Sequence, residues 1–171
     1  MIIWLIGMSG AGKTTVGTRL HRRLRETTPN VVYLDGDLLR DVWGTSLGHD
    51  MAGRAANAER ISRLCAMLDG QDIHVVAAVL SIFPEWQAWN REHFSQYYEV
   101  FLDIPMDVVI DRDTKGLYRS ALHGETTNVV GVDIPFPRPA GPDLILDSSG
   151  RGGTPDELVE RIVGELGGVV T

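Results

Sequence analysis

Apolar residues gather along this chain in runs of strand length, at 2–7 (IIWLIG), 31–35 (VVYLD), 74–81 (HVVAAVLS), 98–104 (YEVFLDI) and 143–149 (DLILDSS). Within each run the apolar character is continuous rather than alternating, the pattern of strands buried on both faces of a parallel sheet. Helical spacing fills the intervals over about 13–26, 54–70, 85–95, 106–112 and 155–166. The last of these opens Thr154-Pro155-Asp156-Glu157, a capping residue, a proline at the first helical position and two early acids. Positions 54, 57, 61, 64 and 68 form one helical stripe, polar in its first turn (Arg54, Asn57) and apolar afterwards (Ile61, Leu64, Leu68). That helix packs on a core and can turn its leading end towards a site. Strands alternating with helices predict one three-layer α/β domain over 1–171, built on a mostly five-stranded parallel sheet. The stretch 113–142, rich in Gly and Pro and short of strand pattern, is expected to be a mobile flap.

Composition narrows the partners. At 171 residues the chain can bury a core without staples, and 43% hydrophobic with 23% charged residues is globular composition. A formal charge of −7 argues against a nucleic-acid surface, so any phosphate is met by a few placed groups. The one cysteine, Cys65, excludes an internal disulfide, fits a reducing compartment and falls in a helical apolar pattern, as a packed thiol does. The N-terminal MIIWLIG has no basic n-region and reads as a buried strand, not a signal peptide or membrane span. The expected location is the cytoplasm.

Gly7-Met8-Ser9-Gly10-Ala11-Gly12-Lys13-Thr14 matches G-x-x-x-x-G-K-[ST], between a strand and a helical pattern. Its glycines let backbone N–H groups wrap a phosphate chain at a helix N-terminus. Lys13 can bridge the β- and γ-phosphates of ATP, and the Thr14 hydroxyl is placed to ligate Mg²⁺. The plainer alternative, a Gly-rich turn without a ligand, does not account for the lysine and the context together. The second strand ends in Leu34-Asp35-Gly36-Asp37, with Arg40 three residues on. Carboxylates at the carboxyl end of a strand beside the P-loop strand lie where acceptors bind in such sheets. One can orient or deprotonate an attacking hydroxyl and the other can hold the metal; a solvated Asp-Gly turn capping the next helix is the alternative.

With GMSGAGKTT, LDGDLLR, Arg54-x-x-Asn57, Arg112-Asp113-Thr114-Lys115-Gly116-Leu117-Tyr118, GVDIPF (131–136) and Pro142-Asp143-Leu144 in order, the chain resembles the adenylylsulfate (APS) kinase family over nearly its whole length. The resemblance implies a P-loop kinase fold, often dimeric, which leaves a homodimer open. It implies transfer of the γ-phosphate of MgATP to the 3′-hydroxyl of a nucleotide acceptor. It assigns ATP to Gly7, Ser9, Gly10, Ala11, Gly12, Lys13, Thr14 and Thr15, with Arg112 and Lys115 on the flap above. Lys13, Asp35 and Asp37 become the catalytic set, with Thr14 and Asp35 at the metal. Asp37, Arg40, Arg54, Asn57, Ser81, Ile82, Phe83, Trp86, Gln87, Lys115, Gly116 and Leu117 fall to the acceptor.

On that side the chain departs from the family pattern. After the third strand the family carries Ile-Ser-Pro-Tyr and then an acceptor-binding arginine. Here Ser81 is followed by Ile82 and Phe83, Gln87 takes the arginine's place, and only the later Arg91 survives. Two phenylalanines that sandwich the acceptor adenine fall, by counting, on Leu68 and Val129. Stacking is worth roughly 1–3 kcal/mol per base, and a charge-assisted bond roughly 1.5–3 kcal/mol. Trp86 and Trp89, three apart, can offer a new stacking surface or pack into the domain. Every donor-side element is kept, so the expectation is a working kinase with adenylylsulfate, or a variant such as the cytidine diphosphoramidate used by a divergent branch of the family, as acceptor. A kinase for another metabolite or antibiotic hydroxyl, and a binding module without transfer chemistry, are the rival readings.

Overall fold

The computed structural model describes residues 1–44 and 47–167. Five strands, β1 (Ile2–Ile6), β2 (Val31–Asp35), β3 (His74–Val79), β4 (Tyr97–Asp103) and β5 (Leu144–Asp147), form one sheet in the order β2-β3-β1-β4-β5. All of the pairings are parallel. The helices are α1 (Lys13–Leu24), α2 (Gly36–Trp43), α3 (Met51–Asp69), α4 (Pro84–His93), α5 (Met106–Asp111), α6 (Leu117–Leu122) and α7 (Pro155–Leu166).

The unbroken apolar run of β1 follows from its central place. Ile3 and Leu5 pack with Leu20 of α1 and Ile162 of α7, while Ile2, Trp4 and Ile6 pack with Leu39 of α2 and Ile61 and Cys65 of α3. Each face of the strand therefore serves a different helical layer, and three layers result. Burial pushes the Cys65 thiol up, as in a packed core residue. No helix among the described residues is long and apolar enough to cross a membrane.

The structure corrects the sequence expectation at several edges. The helix expected from 54 begins at Met51, because the Asp50 carboxylate accepts the Gly53 N–H at 2.8 Å and caps it there. Two helices lie outside the periodic pattern, the first of them where an Asp-Gly turn was the alternative reading. Asp35 accepts the backbone N–H groups of Asp37 and Leu38 and starts α2, so the Asp-Gly turn is also a helix start. Asp113 does the same for α6, accepting from the N–H groups of Leu117, Tyr118 and Arg119 behind a left-handed Gly116 (φ 69°). The segment 113–142 thus holds a helix and the buried Val129, Val130 and Ile134. The stripe on α3 runs inward as expected, with Asn57 and Ile61 buried.

Parallel register brings the carboxyl ends of the inner strands level: Ile6 lies opposite Val79 and Phe101, and Asp35 opposite Ala78. The loops after β1, β2 and β3 therefore open on one edge of the sheet.

Candidate active site

The loop between β1 and α1 is held from below. A side chain at Gly7 would meet Ala11 Cβ and the Leu102 carbonyl oxygen, each at 3.0 Å. Gly10 and Gly12 take left-handed backbone (φ 81° and 86°), which glycine adopts without strain. Gly12 contributes no side-chain cap, so the first N–H groups of α1 face a groove of about 920 Å³. Ser9 through Thr15 line that groove, with Arg112, Lys115, Leu117 and Tyr118 on the opposite wall. Tyr118 ties the walls together by donating to the Ser9 carbonyl at 3.0 Å. Gly7 packs beneath the loop, and Gly116 serves as the start of α6.

Lys13 donates to the carbonyl oxygens of Gly7 and Met8 at 2.8 and 2.7 Å. Burial lowers its pKa to about 8, against the pull of the Asp37 and Asp35 carboxylates. The Thr14 hydroxyl donates to Asp35 Oδ2 at 2.8 Å, and the Tyr33 hydroxyl to the same oxygen at 2.9 Å. Burial alone would raise the Asp35 carboxyl; those two donors and the α2 N–H groups outweigh it and hold the acid below the usual range. Stabilised by these four donors, Asp35 is a fixed anion and a weak base. Asp37 is exposed, and no donor among the described residues occupies its carboxylate. A Mg²⁺ ion fits this donor set. It needs hard oxygens, takes one or two carboxylates and completes its shell with phosphates and water, and here the Thr14 hydroxyl and Asp35 carboxylate adjoin.

A second, narrower cavity opens from the groove at Asp37, Arg40, His49 and Arg54, which line both. Its inner wall is Trp4, Asn57, Ile61, Ser81, Ile82, Phe83 and Trp86. Arg40 donates to the carbonyls of Leu47 and Gly48, and Arg54 to those of His49 and Asn128, so backbone aims both guanidiniums. His49 sits between them. Burial lowers its pKa and the two arginines lower it further, with Asp37 opposing.

Trp4 and His49 escaped the sequence reading. Trp4 is 2% exposed and reads as a core residue of β1, and a lone histidine in a loop carries no spacing signal. Several residues weighed in the sequence do not line the inner cavity. Gln87 is buried and turned inward, its amide donating to Ser81. Leu68, near the end of α3, packs in the core and lines neither cavity. Val129 is buried beneath the nucleotide groove. Lys115 and Leu117 line the groove alone. Arg112 donates to the carbonyls of Ser148 and Ser149, which anchors it to the β5–α7 loop. Of the tryptophan pair, Trp86 lines the cavity, while Trp89 stacks on His93 at 4.0 Å and carries the Arg63 guanidinium at 6.0 Å. Arg91 reaches away to Gly141 and Asp143.

Known proteins give the same outline. The family model described as Adenylylsulphate kinase matches residues 1–147. The chain is 40% identical to the cytidine diphosphoramidate kinase of Campylobacter jejuni, over 96% of its own length and 95% of that protein. It is 35% identical to an adenylyl-sulfate kinase of Paraburkholderia xenovorans, covering 96% and 92%. Among solved structures, the Mycobacterium tuberculosis APS kinase CysC in complex with AMPPNP and APS superposes with a TM-score of 0.87 at 34% identity, covering 97% of this chain and 96% of that one.

Proposed function

The chain belongs to the adenylylsulfate kinase family and is an ATP-dependent kinase with the P-loop kinase fold, and we propose that it phosphorylates the ribose 3′-hydroxyl of a pyrimidine nucleotide, with cytidine diphosphoramidate as acceptor. The observation that carries this reading is the acceptor cavity. Gln87, where the family pattern has an arginine, is withdrawn into the protein, leaving Arg40 and Arg54 as the guanidiniums at the cavity mouth. An acceptor with a less anionic terminus than a phosphosulfate suits that reduced charge. The similarity to the Campylobacter kinase points the same way.

In this reading ATP lies along Ser9–Thr15 with its phosphates on the exposed N–H groups of α1. Lys13 leaves the Gly7 and Met8 carbonyls for the phosphate oxygens. Thr14 and Asp35 would hold Mg²⁺, which when bound supplies charge neutralisation of the phosphates. Asp37 stands where groove and cavity meet and takes the proton of the attacking hydroxyl, a role for which Asp35, an anion already stabilised by four donors, is the weaker base. Arg40 and Arg54 hold the acceptor's anionic groups, and Trp86 and Phe83 face its base. The cytoplasm, where ATP is supplied, is the proposed location.

The test is ADP release with MgATP and either cytidine diphosphoramidate or adenylylsulfate. A higher kcat/KM for the cytidine compound is expected; preference for adenylylsulfate would overturn the acceptor assignment, and turnover of neither would overturn the reading. In the same assay Asp37→Asn is expected to retain ATP binding and lose at least about a hundredfold in kcat, the range of general-base catalysis.

A further inference from the structure

Ser81 is one of three non-glycine residues with positive φ among those described, at 53°. A serine in left-handed backbone is disfavoured and persists where its surroundings over-determine it. Two buried side chains do so here. Gln87 Nε2 donates to the Ser81 carbonyl at 3.0 Å and to Ser81 Oγ at 3.2 Å, and Trp4 Nε1 donates to the same Oγ at 3.1 Å. The amide orientation is fixed by chemistry, since a carbonyl oxygen can only accept and the group facing it must be the NH₂. An indole N–H likewise can only donate.

Both lone pairs of the Ser81 hydroxyl are therefore occupied by protein donors. Its own proton has no protein acceptor among the described residues, and Ser81 lines the acceptor cavity. We infer that Ser81 is an obligate hydrogen-bond donor to the acceptor nucleotide, and that Gln87 and Trp4 are positioning residues that make it one. The inference rests on the proposed acceptor site and adds a requirement to it. The acceptor must present a lone pair to Ser81, on a carbonyl, a ring nitrogen or a phosphoryl oxygen, and not an N–H group. It also gives Gln87 a function compatible with its burial: a residue that shapes the site through the backbone at Ser81 without touching the ligand.

Gln87→Glu separates this role from simple packing. The substituted side chain keeps its size, but an ionised carboxylate cannot donate to the Ser81 carbonyl and instead attracts the serine proton away from the cavity. With the acceptor that the wild type turns over, Ser81→Ala and Gln87→Glu are each expected to raise the acceptor KM roughly three- to tenfold, the range of one neutral hydrogen bond. The KM for ATP should move less than twofold. The double variant should be no worse than the more affected single one, because Gln87 acts through Ser81. Additive effects, or an unchanged acceptor KM, would overturn the inference. Trp4→Phe, which keeps a ring and deletes the N–H, serves where Gln87→Glu does not fold, with a smaller rise and the same non-additivity expected. A wild type that turns over neither nucleotide counts against the proposed function alone. The crystal structure of Gln87→Glu or Trp4→Phe then decides the present point: a Ser81 Oγ that leaves its wild-type position, turning towards the carboxylate in Gln87→Glu or away from the lost indole N–H in Trp4→Phe, supports it, and unchanged Ser81 geometry refutes it.

Discussion

Lys13 shows how far a residue's setting changes its chemistry. Burial brings its pKa from 10.5 to about 8, against two carboxylates that pull the other way. The sign follows directly. The unfolded chain holds this proton up to about pH 10.5, while the folded chain releases it from about pH 8, so this group's contribution to stability rises with pH across that window. A bound triphosphate restores the charged form. Nucleotide binding at pH 8 should therefore take up about half a proton, read by calorimetry in buffers of different ionisation enthalpy, and Lys13→Arg should abolish the uptake. The P-loop residues were legible because their chemistry is contained in eight consecutive positions. His49 was not, since what makes it notable is the Arg40 and Arg54 guanidiniums folded around it.

At the scale of elements, α1 must approach β2 closely for Thr14 to reach Asp35. Gly17, one turn further along α1, permits this: a Cβ there would lie 2.7 Å from the Tyr33 ring and 3.3 Å from Leu5. Tyr33 in turn donates to Asp35. Gly17→Ala is expected to destabilise the fold by about 1–3 kcal/mol through overpacking and to weaken ATP-dependent turnover by displacing Tyr33, checked by denaturant unfolding and kinetics. The long elements and α7 were readable, the latter through Thr154, whose capping box with Glu157 lies where the sequence placed it. The short helices α2 and α6 were not. Each is short and is started by a side-chain carboxylate, Asp35 for α2 and Asp113 for α6, and the motif reading had given Asp35 to the metal and catalysis.

Across the whole molecule, a chain of net charge −7 confines its lysines to one place. There are two, Lys13 and Lys115, and both line the nucleotide groove. The N-terminal ammonium is buried against Asp69 at 3.2 Å. Acetylation under mild conditions should therefore inactivate the enzyme with at most two modifications by intact mass, and MgATP should protect both activity and Lys13. Inactivation that ATP does not slow would refute this placement.

The layer architecture and the phosphate loop are written in the chain itself, while the reaction class and the variant acceptor follow from motifs that resemble the adenylylsulfate kinase family and from where they depart from it. These depend on local periodicity and contiguous motifs, which survive without coordinates. Tertiary contacts alone show that Asp35 is held by donors while Asp37 is exposed, that the Gln87 amide donates to Ser81, that Trp89 and Arg91 turn to His93 and Asp143, and that Trp4 and His49 line the cavity. Those assignments depend on where hydrogen-bond donors from distant strands and helices converge. The direction of a side chain and the occupancy of its lone pairs are settled by packing, and no spacing along the chain encodes them.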